Sequence, residues 1–108
     1  MNNQSDIQRL RNSADQAHQL LKALANRDRL LLLCQLVDGE RNVSELETLL
    51  GIVQPTLSQQ LAVLRREGLV DTRREGKLVY YRVASREALA ILHTLYGLYC
   101  AEETADEH

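Results

Sequence analysis

The sequence contains no tryptophan and no phenylalanine, and its 108 residues include only one proline and two cysteines. A chain of this length forms one small domain that buries about two-thirds of its unfolded surface, so a partner chain often completes the core of such proteins. Leucine, by contrast, is plentiful. A leucine-rich chain with few large aromatic rings is typical of a compact helical protein.

The N-terminal segment, MNNQSDIQRLRNS, lacks the apolar run that a signal peptide or a membrane-spanning helix requires. We therefore expect a cytoplasmic protein that has no membrane partner. Thiols are normally kept reduced in that compartment, so Cys34 and Cys100 are expected to be free.

The chain also lacks the positive net charge that nucleic-acid binding usually brings, because its formal net charge is −2. The charges are unevenly distributed, however. Residues 101–108 hold four acidic residues and no lysine or arginine, which leaves residues 1–100 with a net charge of +2. Within residues 54–86, seven basic residues outnumber three acidic ones. This local excess is compatible with a DNA-binding surface, but a merely solvated face explains it equally well.

Apolar residues at spacings of three and four predict three helices in the first half of the chain. The first covers about residues 5–25, and RDRLLLLCQLV forms the second, whose apolar character almost all round predicts deep burial. The third begins at Asn42, which can form a capping box with Glu45. We expect three leucines of this helix to face inward: Leu46, Leu49 and Leu50.

The stretch QPTLSQQLAVLRREGLV predicts a fourth helix with two chemically distinct faces. Pro55 fits the first turn, where no helical N–H bond is needed, and Gly68 ends the helix. Three leucines, Leu57, Leu61 and Leu64, line the buried face. The other face begins with amides and hydroxyls and ends with arginines, of which Arg65 is the first.

The pattern then changes to the alternation that is typical of strands, in LVDTRR and KLVYYRV, with a turn at Glu75–Gly76 between them. Ser85 can cap a last helix, REALAILHTLYGLYC. The predicted order is therefore α-α-α-α-β-β-α, a mainly α winged helix-turn-helix domain over residues 1–100 with a small β-hairpin wing. Residues 101–108 are predicted to be a disordered acidic tail.

In a winged helix-turn-helix, the second helix of the pair enters the major groove and the hairpin contacts the adjacent backbone. Glutamine can pair with the edge of adenine, and serine or threonine can bond to base edges or to phosphate. Cations near the hairpin tip, here Arg74 and Lys77, suit phosphate. The helix pair, the hairpin and the basic wing together favour double-stranded DNA as the partner.

The run from LLKALANRDRLLLLCQL through VSELETLLGIVQPTLSQQLAVLRREGLVDTRREGKLVYYRV resembles the ArsR/SmtB family of bacterial winged-helix repressors over about residues 14–100. The resemblance implies a homodimer, paired through its first and last helices, that binds a palindromic operator and is released by an inducer. It also implies which residues face the groove: Gln54, Thr56, Ser58, Gln59 and Gln60.

Two residues depart from the family pattern. Gln60 stands where many members have histidine, and Val53 stands where serine is usual. Val53 cannot cap the recognition helix with a side-chain oxygen, so we expect that helix to lose about 1 kcal/mol relative to its relatives.

The metal sites of the family are not matched in this sequence. Members that bind metal carry C-V-C-D-L on the third helix, whereas this chain has NVSEL there, without a thiolate. A second family pattern needs Asp-x-His and His-x-x-Glu on the last helix, which offers only His93. Because His18 and His108 complete no recognisable ligand set, we expect neither a metal nor a cofactor.

The two cysteines are the remaining candidates for sensing a signal. A lone cysteine in RLLLLCQL is most often an inert small hydrophobe, whereas Cys100 ends a helix and should be accessible. One cysteine on the second helix and one at the end of the last resemble the sulfide- and persulfide-responsive branch of the family, the BigR/SqrR/HlyU-like repressors. That resemblance implies that Cys34 and Cys100 form a redox-sensing pair and that reactive sulfur species are the inducer.

Three other functions remain open from the sequence. A thiol oxidoreductase is disfavoured, because there is no C-x-x-C motif and no thioredoxin-like alternation of strands and helices, so we expect no catalytic residues. A winged-helix regulator that responds to a metal, or to no effector, is the second. The third is a helical dimer with a purely structural or protein-interaction role.

Overall fold

The computed structural model describes residues 3–100, with side chains from residue 5 onward. The predicted disordered tail, residues 101–108, lies outside the described residues. The helices are α1 (Asn3–Leu24), α2 (Arg27–Val37), α3 (Val43–Leu50), α4 (Thr56–Arg66) and α5 (Arg86–Tyr99). The strands are β1 (Arg41–Asn42), β2 (Val70–Glu75) and β3 (Leu78–Val83). The predicted fold class, a mainly helical chain with a β-hairpin wing, is confirmed.

A single core of leucine side chains joins α2 to α4. Its most deeply buried members include Leu32 and Leu33 of α2 and the three predicted residues of α4, Leu57, Leu61 and Leu64. The predicted deep burial of α2 holds for its leucine face but not for Cys34, which is exposed. Only one side of α2 packs against α4, and successive helical residues point about 100° apart, so residue 34 falls outside the leucine face.

The wing contains a third strand that the sequence did not predict. β1 pairs antiparallel with β3, with Arg41 opposite Tyr81, and the sheet order is β1-β3-β2. The β2–β3 register pairs Glu75 with Leu78, so the loop is Gly76–Lys77, one residue later than predicted. Gly76 has a φ of 61°, a left-handed conformation that glycine adopts without a steric penalty.

Capping residues fix the starts of α3 and α5, as predicted. The Glu45 N–H donates to Asn42 Oδ1 and the Asn42 N–H donates to Glu45 Oε1, both at 2.9 Å, which completes the capping box. At α5, the Ala88 N–H donates to Ser85 Oγ at 3.0 Å. Since Asn42 also ends β1, its cap joins the start of α3 to the wing.

Several apolar side chains of the described residues remain exposed on the single chain. Leu49, which was predicted to face inward, is 52% exposed, whereas Leu46 of the same helix is fully buried. Others lie on the first and last helices: Ile7, Leu10, Leu21, Tyr96, Leu98 and Tyr99. No described helix is long and apolar enough to cross a membrane.

Candidate nucleic-acid interface and cysteine cleft

The face of α4 opposite its buried leucines is polar and open to solvent. Ser58, Gln59 and Arg65 are exposed there, and Thr56 is partly buried at the start of the helix. Next to this face lies an open groove of about 480 Å³ between α4 and β3, lined by Ser58, Ala62, Arg65, Arg66 and Tyr81. Hydroxyl and cationic groups therefore line a surface that a second molecule can reach.

The start of α4 is capped by a residue that sequence analysis had assigned to another role. Pro55 occupies the N-cap position without a side-chain hydrogen bond, and Val53 provides none, as predicted. Gln54 Oε1 takes over this role, because it accepts hydrogen bonds from the Ser58 N–H at 3.1 Å and from Ser58 Oγ at 2.7 Å. The expectation that Val53 cannot cap α4 is therefore met, and the amide oxygen of Gln54 supplies a side-chain acceptor in the first turn instead.

Gln60 differs from the other predicted groove-facing residues because another helix holds its side chain. Its Oε1 accepts a hydrogen bond from Arg29 Nη1 at 2.8 Å, and Gln60 is partly buried. Arg29 also donates to the carbonyl oxygens of Lys22 and Ala23 at the end of α1. A cation suits that helix end, where carbonyl groups lack partners. Arg29 thus ties the end of α1 to the middle of α4.

The basic residues of the wing differ in whether they form ion pairs. Arg73 Nε donates to Glu40 at 2.8 Å, its Nη1 donates to Glu75 at 2.8 Å, and its guanidinium lies 4.6 Å from the centre of the Tyr80 ring. The hydrogen bonds that Arg73 donates to Glu75 and Glu40 raise its pKa. Arg74 and Lys77 are exposed at the tip, and neither is in an ion pair among the residues that the structure describes.

Both cysteines are exposed free thiols. Cys34 lies at a cleft of about 350 Å³ between α2 and α5, whose other lining residues are Val37, Asp38, Leu92, His93 and Tyr96. Cys100 forms the C-cap of α5. Cys34 is therefore not a core residue, because its side chain reaches solvent beside the last helix.

Three features of this cleft raise the pKa of the Cys34 thiol. The largest is partial burial, and the nearby Cys100 and Asp38 add to it, because each negative charge disfavours a thiolate at Cys34. The pairing of Cys34 with Cys100 that the family resemblance implies stays a prediction.

The raised pKa predicts that Cys34 reacts slowly with iodoacetamide near neutral pH, because the thiolate is the reacting form. Its alkylation rate, followed by peptide mass spectrometry, is expected to keep rising as the pH increases beyond 9.0, the ordinary value. Asp38→Asn removes one neighbouring negative charge, so the profile shifts to lower pH and Cys34 reacts faster at pH 8. Asp28→Asn, at the other end of α2, is the matched control and leaves the profile unchanged. An Asp38→Asn profile that coincides with that of the wild type would contradict this assignment.

Among the residues that the structure describes, no group of three histidine, cysteine, aspartate or glutamate side chains could hold a metal ion. His93 lies at the cysteine cleft, and His18 lies exposed on α1. His108 is outside the described residues.

Comparison with protein families and curated proteins gives concordant matches. The family model described as "Bacterial regulatory protein, arsR family" matches residues 26–72. The chain is 55% identical over 84 residues to the biofilm growth-associated repressor of Agrobacterium fabrum, covering 78% of this chain and 72% of that protein. It is 45% identical over 95 residues to the transcriptional activator HlyU of Vibrio cholerae, covering 88% of each.

Solved structures share the fold at similar levels of identity. Reduced HlyU from Vibrio cholerae superposes with a TM-score of 0.82 at 46% identity, covering 86% of this chain and 98% of that one. The winged helix-turn-helix DNA-binding domain of Mb0332 from Mycobacterium bovis, which is described as homodimeric, gives a TM-score of 0.73 at 36% identity. That match covers 93% of this chain and 91% of the other.

Proposed function

The chain belongs to the arsR family of bacterial regulatory proteins, and on this premise we propose that it is a transcriptional repressor that senses reactive sulfur species. In this proposal, oxidation or persulfidation of Cys34 and Cys100 lowers its affinity for operator DNA. The observation that carries the proposal is the pair of exposed thiols, one at the cleft between α2 and α5 and one at the end of α5, where Cys100 helps to raise the pKa of Cys34. The relatives bear the names of a repressor and an activator, which agrees with a regulatory rather than an enzymatic role.

The proposed DNA contacts use α4 and the wing. Gln54, Thr56, Ser58 and Gln59 contact base edges in the major groove, and Arg65 contacts phosphate at the groove wall. Gln60 supports them through its bond to Arg29, which holds α4 against α1. The wing adds phosphate contacts through its two tip cations, Arg74 and Lys77.

The proposed functional unit is a homodimer. Exposed apolar side chains on α1 and α5 provide the surface that a second copy would cover, and Mb0332 supplies a homodimeric relative of the same fold. A two-fold dimer places two α4 helices in successive major grooves, about 34 Å apart, on a palindromic operator.

The sulfur chemistry of the proposed switch proceeds by thiol exchange. One cysteine thiolate attacks the outer sulfur of a persulfide RSSH, which breaks the S–S bond, releases RS⁻ and leaves a protein persulfide. The thiolate of the second cysteine then attacks the inner sulfur of that persulfide and releases HS⁻, which gives the Cys34–Cys100 disulfide. When both cysteines are persulfidated, the same displacement gives a trisulfide and HS⁻. Either product ties α2 to the end of α5.

The bridge is strong enough to alter DNA affinity. Closing a loop of this length is worth roughly 4 kcal/mol in the chain-entropy model. A coupling of only about 1–3 kcal/mol between the bridge and the DNA-binding surface changes the affinity about 5- to 150-fold. Only part of the free energy of loop closure therefore has to reach the DNA-binding surface for regulation.

Duplex binding by the reduced protein tests the proposal. A preferred duplex is selected from a randomised library, and its affinity is measured by fluorescence anisotropy at several salt concentrations, before and after treatment with glutathione persulfide. We expect a steep negative dependence of affinity on salt, because phosphate contacts release counterions, and a loss of affinity after treatment. Failure to select any duplex would refute DNA recognition. Unchanged affinity of a protein that mass spectrometry shows to be bridged would refute the sulfur switch alone.

A further inference from the structure

The side-chain amide of Gln54 has a fixed orientation at the start of α4. The backbone N–H of Ser58 can only donate, so its partner at 3.1 Å is the amide oxygen, Oε1, and the Ser58 hydroxyl lies 2.7 Å from the same atom. At the other end, the carboxylate of Glu47 can only accept, and it lies 3.4 Å from Nε2. The two lone pairs of the oxygen are therefore occupied, while one N–H of the amide stays free.

This arrangement changes what Gln54 can recognise. The bidentate contact of glutamine with adenine needs one donor and one acceptor from the amide. Gln54 offers only a donor as long as its oxygen caps α4. It therefore matches an acceptor on a base edge, and in the major groove such acceptors are thymine O4, guanine O6 and the N7 atoms of guanine and adenine.

The residue before Gln54 adds an apolar group to the same surface. Val53 is 71% exposed, more than any other large exposed hydrophobic residue recorded for the described chain, and it precedes the first turn of α4. No core contact accounts for an apolar side chain at that position. Thymine carries a methyl group at C5 beside its O4 acceptor, a combination that no other base presents in the major groove.

We propose that Val53 and Gln54 together select a thymine in each operator half-site. The thymine methyl packs against Val53, and thymine O4 accepts a hydrogen bond from Gln54 Nε2. Glu47 is a positioning residue, because it holds the amide with its nitrogen outward. This inference rests on the proposed function, in which the first residues of α4 meet base edges.

Removal of methyl groups from the protein or from the base tests the apolar half of the contact. Duplexes are selected from a randomised library with the reduced full-length protein and with Val53→Ala. We expect a thymine preference in the wild-type selection that weakens at one position per half-site in the variant, while the other positions stay the same. Deoxyuridine at that position in one half-site lowers wild-type affinity about fourfold, since one methyl is lost, and leaves the affinity of Val53→Ala unchanged.

An exchange of the two hydrogen-bonded side chains tests the polar half. The double variant Glu47→Gln, Gln54→Glu keeps the composition and the net charge, and a carboxylate oxygen still caps Ser58. The group offered to the base becomes an acceptor, which suits the N4 amino group of cytosine. The preference at the same position is expected to shift from thymine to cytosine, with a change of about tenfold or more in the affinity ratio. The single variant Glu47→Gln is expected to prefer thymine at this position still, but with a smaller affinity ratio over the other bases.

The outcomes separate this inference from the proposed function. A wild-type protein that enriches no sequence overturns both. A protein that enriches an operator, but whose Val53→Ala and exchange variants keep every base preference, overturns the thymine contact and leaves DNA recognition intact. The midpoint temperature of thermal unfolding is measured for both variants. If it equals that of the wild type, a lost base preference does not come from an unfolded protein.

Discussion

Cys34→Ser and Cys100→Ser are each expected to abolish the loss of operator affinity that persulfide treatment produces in the wild-type protein. The wild-type loss is about 5- to 150-fold if the bridge is coupled to DNA binding by about 1–3 kcal/mol. A single remaining thiol can take up a sulfur atom but cannot close the bridge between α2 and α5. Each variant therefore stays within about twofold of its own untreated affinity.

Serine is a suitable replacement at both positions because both thiols are exposed. No cavity opens in the leucine core, and the serine hydroxyl reaches solvent, so the reduced variants should bind the operator as the wild type does. His93→Gln is the matched control, since it alters the lining of the same cleft but retains both thiols. It is expected to keep the full response.

The measurement is operator affinity by fluorescence anisotropy at one fixed salt concentration, with mass spectrometry of each treated sample. Both serine variants are compared with His93→Gln and the wild type. If both lose affinity as fully as the wild type, the cysteine pair is not the switch. If only one of them does, a single persulfidated cysteine is sufficient and no bridge is required.

Local patterns were enough to predict most of the fold. The spacing of leucines fixed the faces of α3 and α4 that hold Leu46 and Leu61, and short-range caps marked the starts of α3 and α5 at Asn42 and Ser85. Each of these signals acts within a few residues of the chain. They can therefore be read without knowledge of the tertiary structure.

Contacts between distant parts of the chain could not be predicted in the same way. β1 has only two residues, too few for an alternating pattern, and it is defined by its partner β3. The bonds of Arg29 to Gln60 and of Arg73 to Glu40 span 31 and 33 residues. Helix propensity and periodicity carry no information about such pairs. Sequence analysis therefore predicted Gln60 only as a groove-facing residue.

The positions of the candidate sensing residues were partly predictable. Family resemblance indicated that Cys34 and Cys100 act together, but the sequence RLLLLCQL also described a buried helix. A continuous apolar run does not reveal which side of a helix lacks a neighbour. The path of α5 decides which side of α2 stays open. Cys34 lies on that side, and its thiol is therefore exposed.

Leu10→Glu is expected to convert the proposed dimer into a folded monomer and to lower operator affinity by at least about a hundredfold. Leu10 is 69% exposed on α1 and lies on the same helical face as Ile7 and Leu21, which are also exposed. A second copy that covers this face would have to bury the introduced carboxylate without a partner. The core leucines of α2 and α4 do not depend on Leu10, so the monomer keeps its fold.

The loss of affinity follows from the loss of paired binding. In a dimer, the second α4 helix binds its half-site at a high effective concentration, which strengthens binding about 10²–10⁴-fold over a single module. Asn12→Glu is the matched control, because it adds the same charge on a different side of α1 and is expected to leave the dimer intact. Sedimentation equilibrium gives the oligomeric state, circular dichroism the helical content, and anisotropy the affinity. A Leu10→Glu protein that stays dimeric, or a monomer with wild-type affinity, would mean that α1 does not pair the two DNA-binding surfaces.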